Sequence, residues 1–364
     1  MFSQNQKISK RQITRLLIFD MTGISTLLLP SLLAQIAGRD GIFCIFAGVL
    51  PAYLVILLMQ KLQQKVEISY PYYLKQRLGK WVGGILLAVY FVYGVLLAGY
   101  TLYVVSGLVQ TALLREESYW LIGICMLLLG GYGIMGGIEG RARIYELLFW
   151  ILMLPLILML LLAVPDVNVD YWTPVVMIGG NDFLRGTLLV FLFYLILCFV
   201  LFLQPFETKK EEGIAAAKRA LGITALLNAA VYLIVLGVFG TQTLAVMRYP
   251  VVTLMSMIKL PGGFFERQDA FMVAIWFFTL YALLNSSMFY AAEVGKQIVG
   301  QNRQRGCLVV TLLLTFAAAA FFYRSAAIRN LGRGWLIYTV IPFLVLLPLL
   351  LLIGKRKEKG ENGE

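Results

Sequence analysis

The sequence predicts an all-α, polytopic membrane protein of about ten transmembrane helices, and three observations predict it. Of 364 residues, 60% are hydrophobic and 14% charged, with a mean hydropathy of +0.83, a balance that a water-facing domain cannot hold. The apolar residues fall into ten runs, each near the roughly 20 residues needed to cross a bilayer. Their Lys and Arg residues alternate between loops, 22 of 31 collecting on one side and 9 on the other. By the positive-inside rule, both termini are expected to be cytoplasmic.

The first span, 13–36, is too long and too polar inside for a cleaved signal peptide, and no small-residue cleavage site follows it. It is expected to stay in the mature chain. Its stretch "FDMTGISTLLLPS" carries Asp20, Gly23, Ser25, Thr26 and Pro30. Such an interruption frees backbone groups that lipid cannot satisfy, so the helix is expected to break at Gly23, Ile24, Ser25 and Thr26 around a cavity. The other reading is that small residues let neighbouring helices approach closely. Asp20 is a candidate for ion coupling, because an intramembrane charge is costly to keep.

The second span, 41–60, and the third, 81–113, flank an inner loop with Lys61, Lys65, Lys75, Arg77 and Lys80. On the third span Tyr93 and Tyr100 are seven residues apart and share a face. The fourth is 119–138, and the fifth, 144–164, has Glu146 at its inner edge and no Lys to serve a proton relay. The sixth, 183–205, contains Tyr194 and Cys198, and the seventh, 219–243, follows Lys209, Lys210, Lys218 and Arg219. In the eighth, 269–295, Tyr281, Asn285 and Ser286 sit mid-membrane, where core hydrogen bonding and ligand contact are both open readings. Glu293 has Lys296 three residues on. The ninth, 307–323, and tenth, 334–354, enclose a loop with Arg324, Arg329 and Arg333, the one basic loop on the outer side. No loop exceeds about thirty residues, so residues 1–364 form a single transmembrane domain without room for a soluble catalytic one.

Composition also excludes functions. The chain has no His, which removes Ser-His-Asp triads, HExxH zinc sites and His proton relays together. Four cysteines, Cys44, Cys125, Cys198 and Cys307, lack CxxC spacing and are expected as small core hydrophobes. No catalytic residue, cofactor or metal is expected. The net charge of +12 is spread through short loops on one side of a membrane, which suits anionic lipid headgroups and not nucleic acid.

The stretch "KISKRQITRLLIFDMTGISTLLLP" resembles the opening of the spore germination permeases, the B-type subunits of germinant receptors. "SYPYYLKQRLGKWVGG", 69–84, is similar to their inner loop, and "YPVVTLMSMIKLPGGFFERQDAFMVAIWFF", 249–278, to their long outer loop and the start of the eighth span. The resemblance extends over most of the chain. It implies the five-plus-five inverted repeat of the amino acid, polyamine and organocation transporter superfamily, with the first and sixth spans broken around a midplane site. It further implies a spore inner-membrane protein that senses or moves a small nutrient germinant, commonly an amino acid, with A-type and C-type subunits as partners.

Two departures bear on the ligand. Ser25 stands where a second Gly is usual in the first-span break, and "LLVFLFYLILCFVLFLQPFE" has no Gly between Gly186 and Pro205, with Leu197 and Cys198 where the sixth-span break should fall. Fewer free backbone groups then remain for a zwitterion, leaving an amino acid, a more apolar molecule or a sugar-like one open. The sequence therefore reads as a receptor membrane subunit that binds a small germinant, with an amino acid permease and a transport-inactive assembly scaffold as the alternatives. Its expected cavity is lined by Gly23 to Thr26, faced by Tyr93 and Tyr100, Tyr194 and Cys198, and Tyr281 and Asn285. Reporter fusions after Lys65 and Glu364 should score cytoplasmic and fusions near Asp170 and Pro261 external; a swapped pair would overturn the orientation.

Overall fold

A capping box starts the first helix. The Ser9 hydroxyl accepts from the Gln12 amide at 3.4 Å while the Gln12 side chain accepts from the Ser9 amide at 3.0 Å, satisfying two of the amide groups that a helix leaves unpaired at its start. In the computed structural model, which describes residues 6–66, 68–174, 176–258, 268–300, 304–324, 348 and 351–352, that helix is α1, Lys10–Ala37. It is followed by α2 Gly41–Lys65, α3 Tyr70–Ala112, α4 Tyr119–Met135, α5 Gly137–Leu162 and α6 Gly180–Phe193. The sixth segment continues as a 3-10 helix, Leu195–Phe206, and then come α7 Glu212–Val246, the short α8 Pro250–Met257, α9 Gln268–Val299 and α10 Gln304–Arg324. Nine of the ten expected spans lie on these helices; the tenth, 334–354, falls outside the described residues except Pro348, Leu351 and Leu352. Arg329 and Arg333 also lie outside them.

Two glycine kinks interrupt the long helices α3 and α7. Within α3, Gly79 adopts φ 85° and ψ 164°, a conformation that glycine reaches without a Cβ clash. The preceding turns, from Tyr70, therefore lie at an angle to the third span on the face that carries Lys61, Lys65 and Lys75, here called the basic face. Gly240, at φ 69°, similarly ends the seventh span six residues before α7 stops.

α1 is the axis of the molecule. Every residue from Leu16 to Leu27 is buried, so α1 has no lipid-facing stripe and is enclosed by α5, α6, α7 and α9. The expected break at Gly23 to Thr26 is not found: α1 is one continuous helix through these residues and through Pro30. The physical reason is visible at Gly23, where an added Cβ would stand 2.8 Å from the Thr279 carbonyl carbon and 2.9 Å from its oxygen on α9. Glycine here permits two helix backbones to touch, as small residues do in membrane interfaces.

Gly23→Val should therefore weaken the folded chain itself, by about 1–3 kcal/mol or more as expected for overpacking against an unyielding backbone. Gly84→Val, on α3 where nothing lies within 4 Å of the added Cβ, is the control. Unfolding midpoints of the two purified variants check this; equal midpoints would remove the packing role of Gly23.

Candidate functional site

Where α6 gives way to the 3-10 segment at Tyr194, the helix tightens without any glycine, and the sixth segment turns a new set of side chains inwards. In a 3-10 helix residues three apart eclipse, so Ile196, Phe199 and Phe202 form one row. Ile196, with Leu189, Leu192 and Phe193 above it, walls a cavity. Asp20, Ile24 and Leu32 of α1 close a second side, Tyr93, Leu96, Leu97 and Tyr100 of α3 a third, and Leu283 of α9 and Phe322 of α10 the rest. The walls are apolar except for the Asp20 carboxylate and the two tyrosine hydroxyls.

Towards the basic face the same row becomes a plug. Phe199 stacks on Tyr93 at 5.7 Å and on Tyr290 at 4.8 Å between ring centroids, and Phe202 meets Tyr70 at 5.3 Å and Tyr90 at 5.1 Å. These rings are all buried. Below them, Ile8 pairs with the end of the sixth segment: its amide donates to Phe206 O at 2.8 Å and its carbonyl accepts from the Thr208 amide at 3.2 Å. Glu207, just beyond the span, is buried and accepts from Gln63 Nε2 at 3.2 and 3.1 Å. Burial pushes its carboxyl up to about 7, against the opposing pull of Gln63 and of the Gly213 and Glu211 amides. Arg11 and Arg15 of α1 meet Glu146 of α5 at 2.5 and 3.3 Å, closing the same face.

On the opposite face a wider vestibule lies among α1, α3, the start of α4 and the 246–249 loop. Leu32 and Tyr100 line both spaces, so the vestibule adjoins the cavity. It is more polar, with Gln35, Gln110, Arg248 and several tyrosines.

Three buried networks fix α1 against its neighbours. Ser286 of α9 donates to Asp20 Oδ1 at 2.6 Å and accepts from the buried guanidinium of Arg141 on α5. That guanidinium also lies 4.8 Å above the ring of Phe289. Ser25 donates to Asn228 of α7 at 2.9 Å, and Asn228 donates to the Tyr194 hydroxyl at 3.0 Å. Trp276 of α9 donates to the Thr26 hydroxyl at 3.1 Å, and that hydroxyl donates to Thr22 O at 2.8 Å.

Of the residues that the sequence singles out, Asp20, Ile24, Tyr93 and Tyr100 come together on the cavity. Gly23, Ser25 and Thr26 face α7 and α9 instead. Tyr194 and Cys198 line a separate small void against α2, with Ala52 and Val55. Tyr281 and Asn285 point away from the cavity, donating to Leu129 O at 3.1 Å and Gly130 O at 2.8 Å and so pairing α9 with α4. Glu293 pairs with Lys296 at 2.9 Å. Cys44, Cys198 and Cys307 are buried, whereas Cys125 is exposed on the flank of α4.

Arg141 was hidden by its position. It precedes the fifth span as bounded by hydropathy and so counts as a basic loop residue. The helical spacing of Ile138, Arg141, Ala142, Tyr145 and Leu152, all buried on one side of α5, is the signal that places it inside. Removing one member of a buried charged set leaves the other uncompensated. Arg141→Met should therefore destabilise the chain by about 3–5 kcal/mol. The double variant with Asp20→Asn should recover part of that loss in unfolding midpoint; simple additivity would mean that the two charges do not support each other.

Comparison with known proteins places these features in context. The sequence profile of a family described as "Spore germination protein" matches residues 7–330. The chain is similar to the spore germination protein YndE of Bacillus subtilis, 26% identical over 364 residues and covering 100% of each chain. It is also similar to the spore germination protein GerQB of Bacillus cereus, 24% identical over 365 residues with 97% of each covered. Among solved structures it resembles a nucleobase-cation-symport-1 family transporter in a closed conformation with bromovinylhydantoin bound, at TM-score 0.64 and 11% identity, over 95% of this chain and 77% of that one. It also resembles a Na+-coupled sialic acid symporter in a substrate-bound outward-open state, at TM-score 0.65 and 13% identity, over 93% of this chain and 78% of that one. At these identities the structural likeness speaks for the fold.

Proposed function

Because the chain belongs to the spore germination protein family, we propose that it is the membrane subunit of a germinant receptor and binds a small nutrient germinant in the cavity between α1, α3 and the sixth segment. The single observation that carries this reading is the juxtaposition of vestibule, cavity and plug. The vestibule adjoins the cavity through shared walls at Leu32 and Tyr100, and stacked aromatic rings stand between that cavity and the basic face. The basic loops favour that face as the cytoplasmic one, so the described arrangement accepts ligand from outside. On this reading the chain has a ten-span, five-plus-five organisation with cytoplasmic termini and lies in the spore inner membrane with A-type and C-type subunits as partners; the relatives' names support its part in spore germination. Binding, not catalysis, is the activity we assign, since both the family and the structural neighbours are transporter-like.

Filling the cavity tests the reading. Leu97 is half-buried and faces the empty space, so Leu97→Trp places its added volume there with little repacking. Spores carrying Leu97→Trp, with the protein present at parental level, should need at least about tenfold more germinant, as expected when a ligand loses apolar contact worth roughly 1.4 kcal/mol. A parental dose response would show that the cavity is not where the germinant acts.

A further inference from the structure

Resting on the reading that this cavity is the ligand site, we infer that its ligand is an uncharged, mainly apolar molecule that donates one hydrogen bond to Asp20 Oδ2. Asp20 lines the cavity, is 1% exposed, and spends Oδ1 on Ser286, while Oδ2 accepts no hydrogen bond among the described residues. A buried carboxylate oxygen without a donor is costly to leave so, and a ligand donor is what the geometry lacks.

Charge decides the rest. Asp20 is already compensated by Arg141 through Ser286, so an added cation would be an unbalanced charge in an apolar chamber, and so would an anion. A zwitterion is net neutral but must place a carboxylate. Binding one calls for freed backbone amides or a basic side chain. α1 is unbroken and consumes its amides, the Tyr194 amide donates to Phe191 O at 3.0 Å, and among the described residues no basic side chain lines the cavity. The other polar groups on the described walls are two tyrosine hydroxyls, set among Leu, Ile and Phe.

The test uses the purified full-length chain and a matched set of probes with one apolar body: isoamyl alcohol, isoamyl methyl ether, isoamylamine, isovalerate and leucine. Half-saturation is read from ligand-observed NMR for the parent and for Leu97→Trp, with Leu192→Trp as the second cavity-filling variant should the first fail to fold. Isoamyl alcohol should half-saturate the parent at a concentration at least about tenfold below each of the other four, the worth of one charge-assisted hydrogen bond or of one avoided buried charge. Its binding should weaken at least about tenfold on filling the cavity. If leucine or the amine matched the alcohol in the parent and both lost binding on filling, the cavity would stand as the site and the ligand class proposed here would be wrong. An ether equal to the alcohol would remove the role of Asp20. If filling changed no probe's binding, or no probe bound the parent, the inference would fall, the former together with the site itself.

Discussion

The middle of α1 touches protein on every side, and the remaining architecture answers to that constraint. A helix enclosed in this way cannot turn a polar group to water or lipid, so the polar side chains from Asp20 to Thr26 look to particular neighbours for partners, and all but Thr22 find one for at least one polar atom. Asp20 finds Ser286 and Arg141, Ser25 finds Asn228, and Thr26 finds Trp276. Together these contacts fix where α5, α7 and α9 stand around α1. The Gly23 contact with α9 sets the separation, since any side chain there would force the helices apart.

The sixth segment depends on the same constraint from the other direction. Asn228 carries the α1 network on to the Tyr194 hydroxyl, at the residue where α winding ends and 3-10 winding begins. One end of the tight segment is thus tied to the middle of α1 and the other to Ile8, two residues ahead of α1, at the basic face. Every residue from Leu195 to Leu203 is buried, which suits a helix whose three eclipsed rows all meet protein.

Much of the framework was legible in the sequence, because the signals are long and redundant. Nine apolar runs became helices, most within a few residues of their hydropathy bounds; α5 and α7 start seven residues early, and α3 starts at Tyr70 across a glycine kink that hydropathy does not register. The site was legible only in part. Tyr93 and Tyr100 share a helix face and both reach the cavity, as their spacing implies. Gly23, Ser25 and Thr26 carried a true signal with two physical causes, and composition alone does not distinguish an unwound helix from a closely packed one. Tyr281 and Asn285 show the same ambiguity, their polar groups being satisfied by α4 carbonyls. Arg141 escaped because a window of mean hydropathy ends where a charge begins, even when the helix and its buried face continue. The change of winding at Tyr194 has no local glycine or polar marker. It is imposed by what surrounds the segment.

The tight winding of Leu195–Phe206 also has a mechanical meaning. Its 12 residues rise about 2.0 Å each where an α-helix would rise about 1.5 Å, so the segment is longer by about 6 Å than the same residues wound normally. It is a drawn spring laid between the cavity and the basic face. A change of pitch, with no hinge and no rigid-body swing, would act as a piston, pulling Phe206 and Glu207 along the axis. The bridge to Ile8, held by bonds of 2.8 and 3.2 Å, is far too short to follow such a stroke. In this molecule the distance between the cavity and the opposite surface is thus set by how tightly one helix is wound.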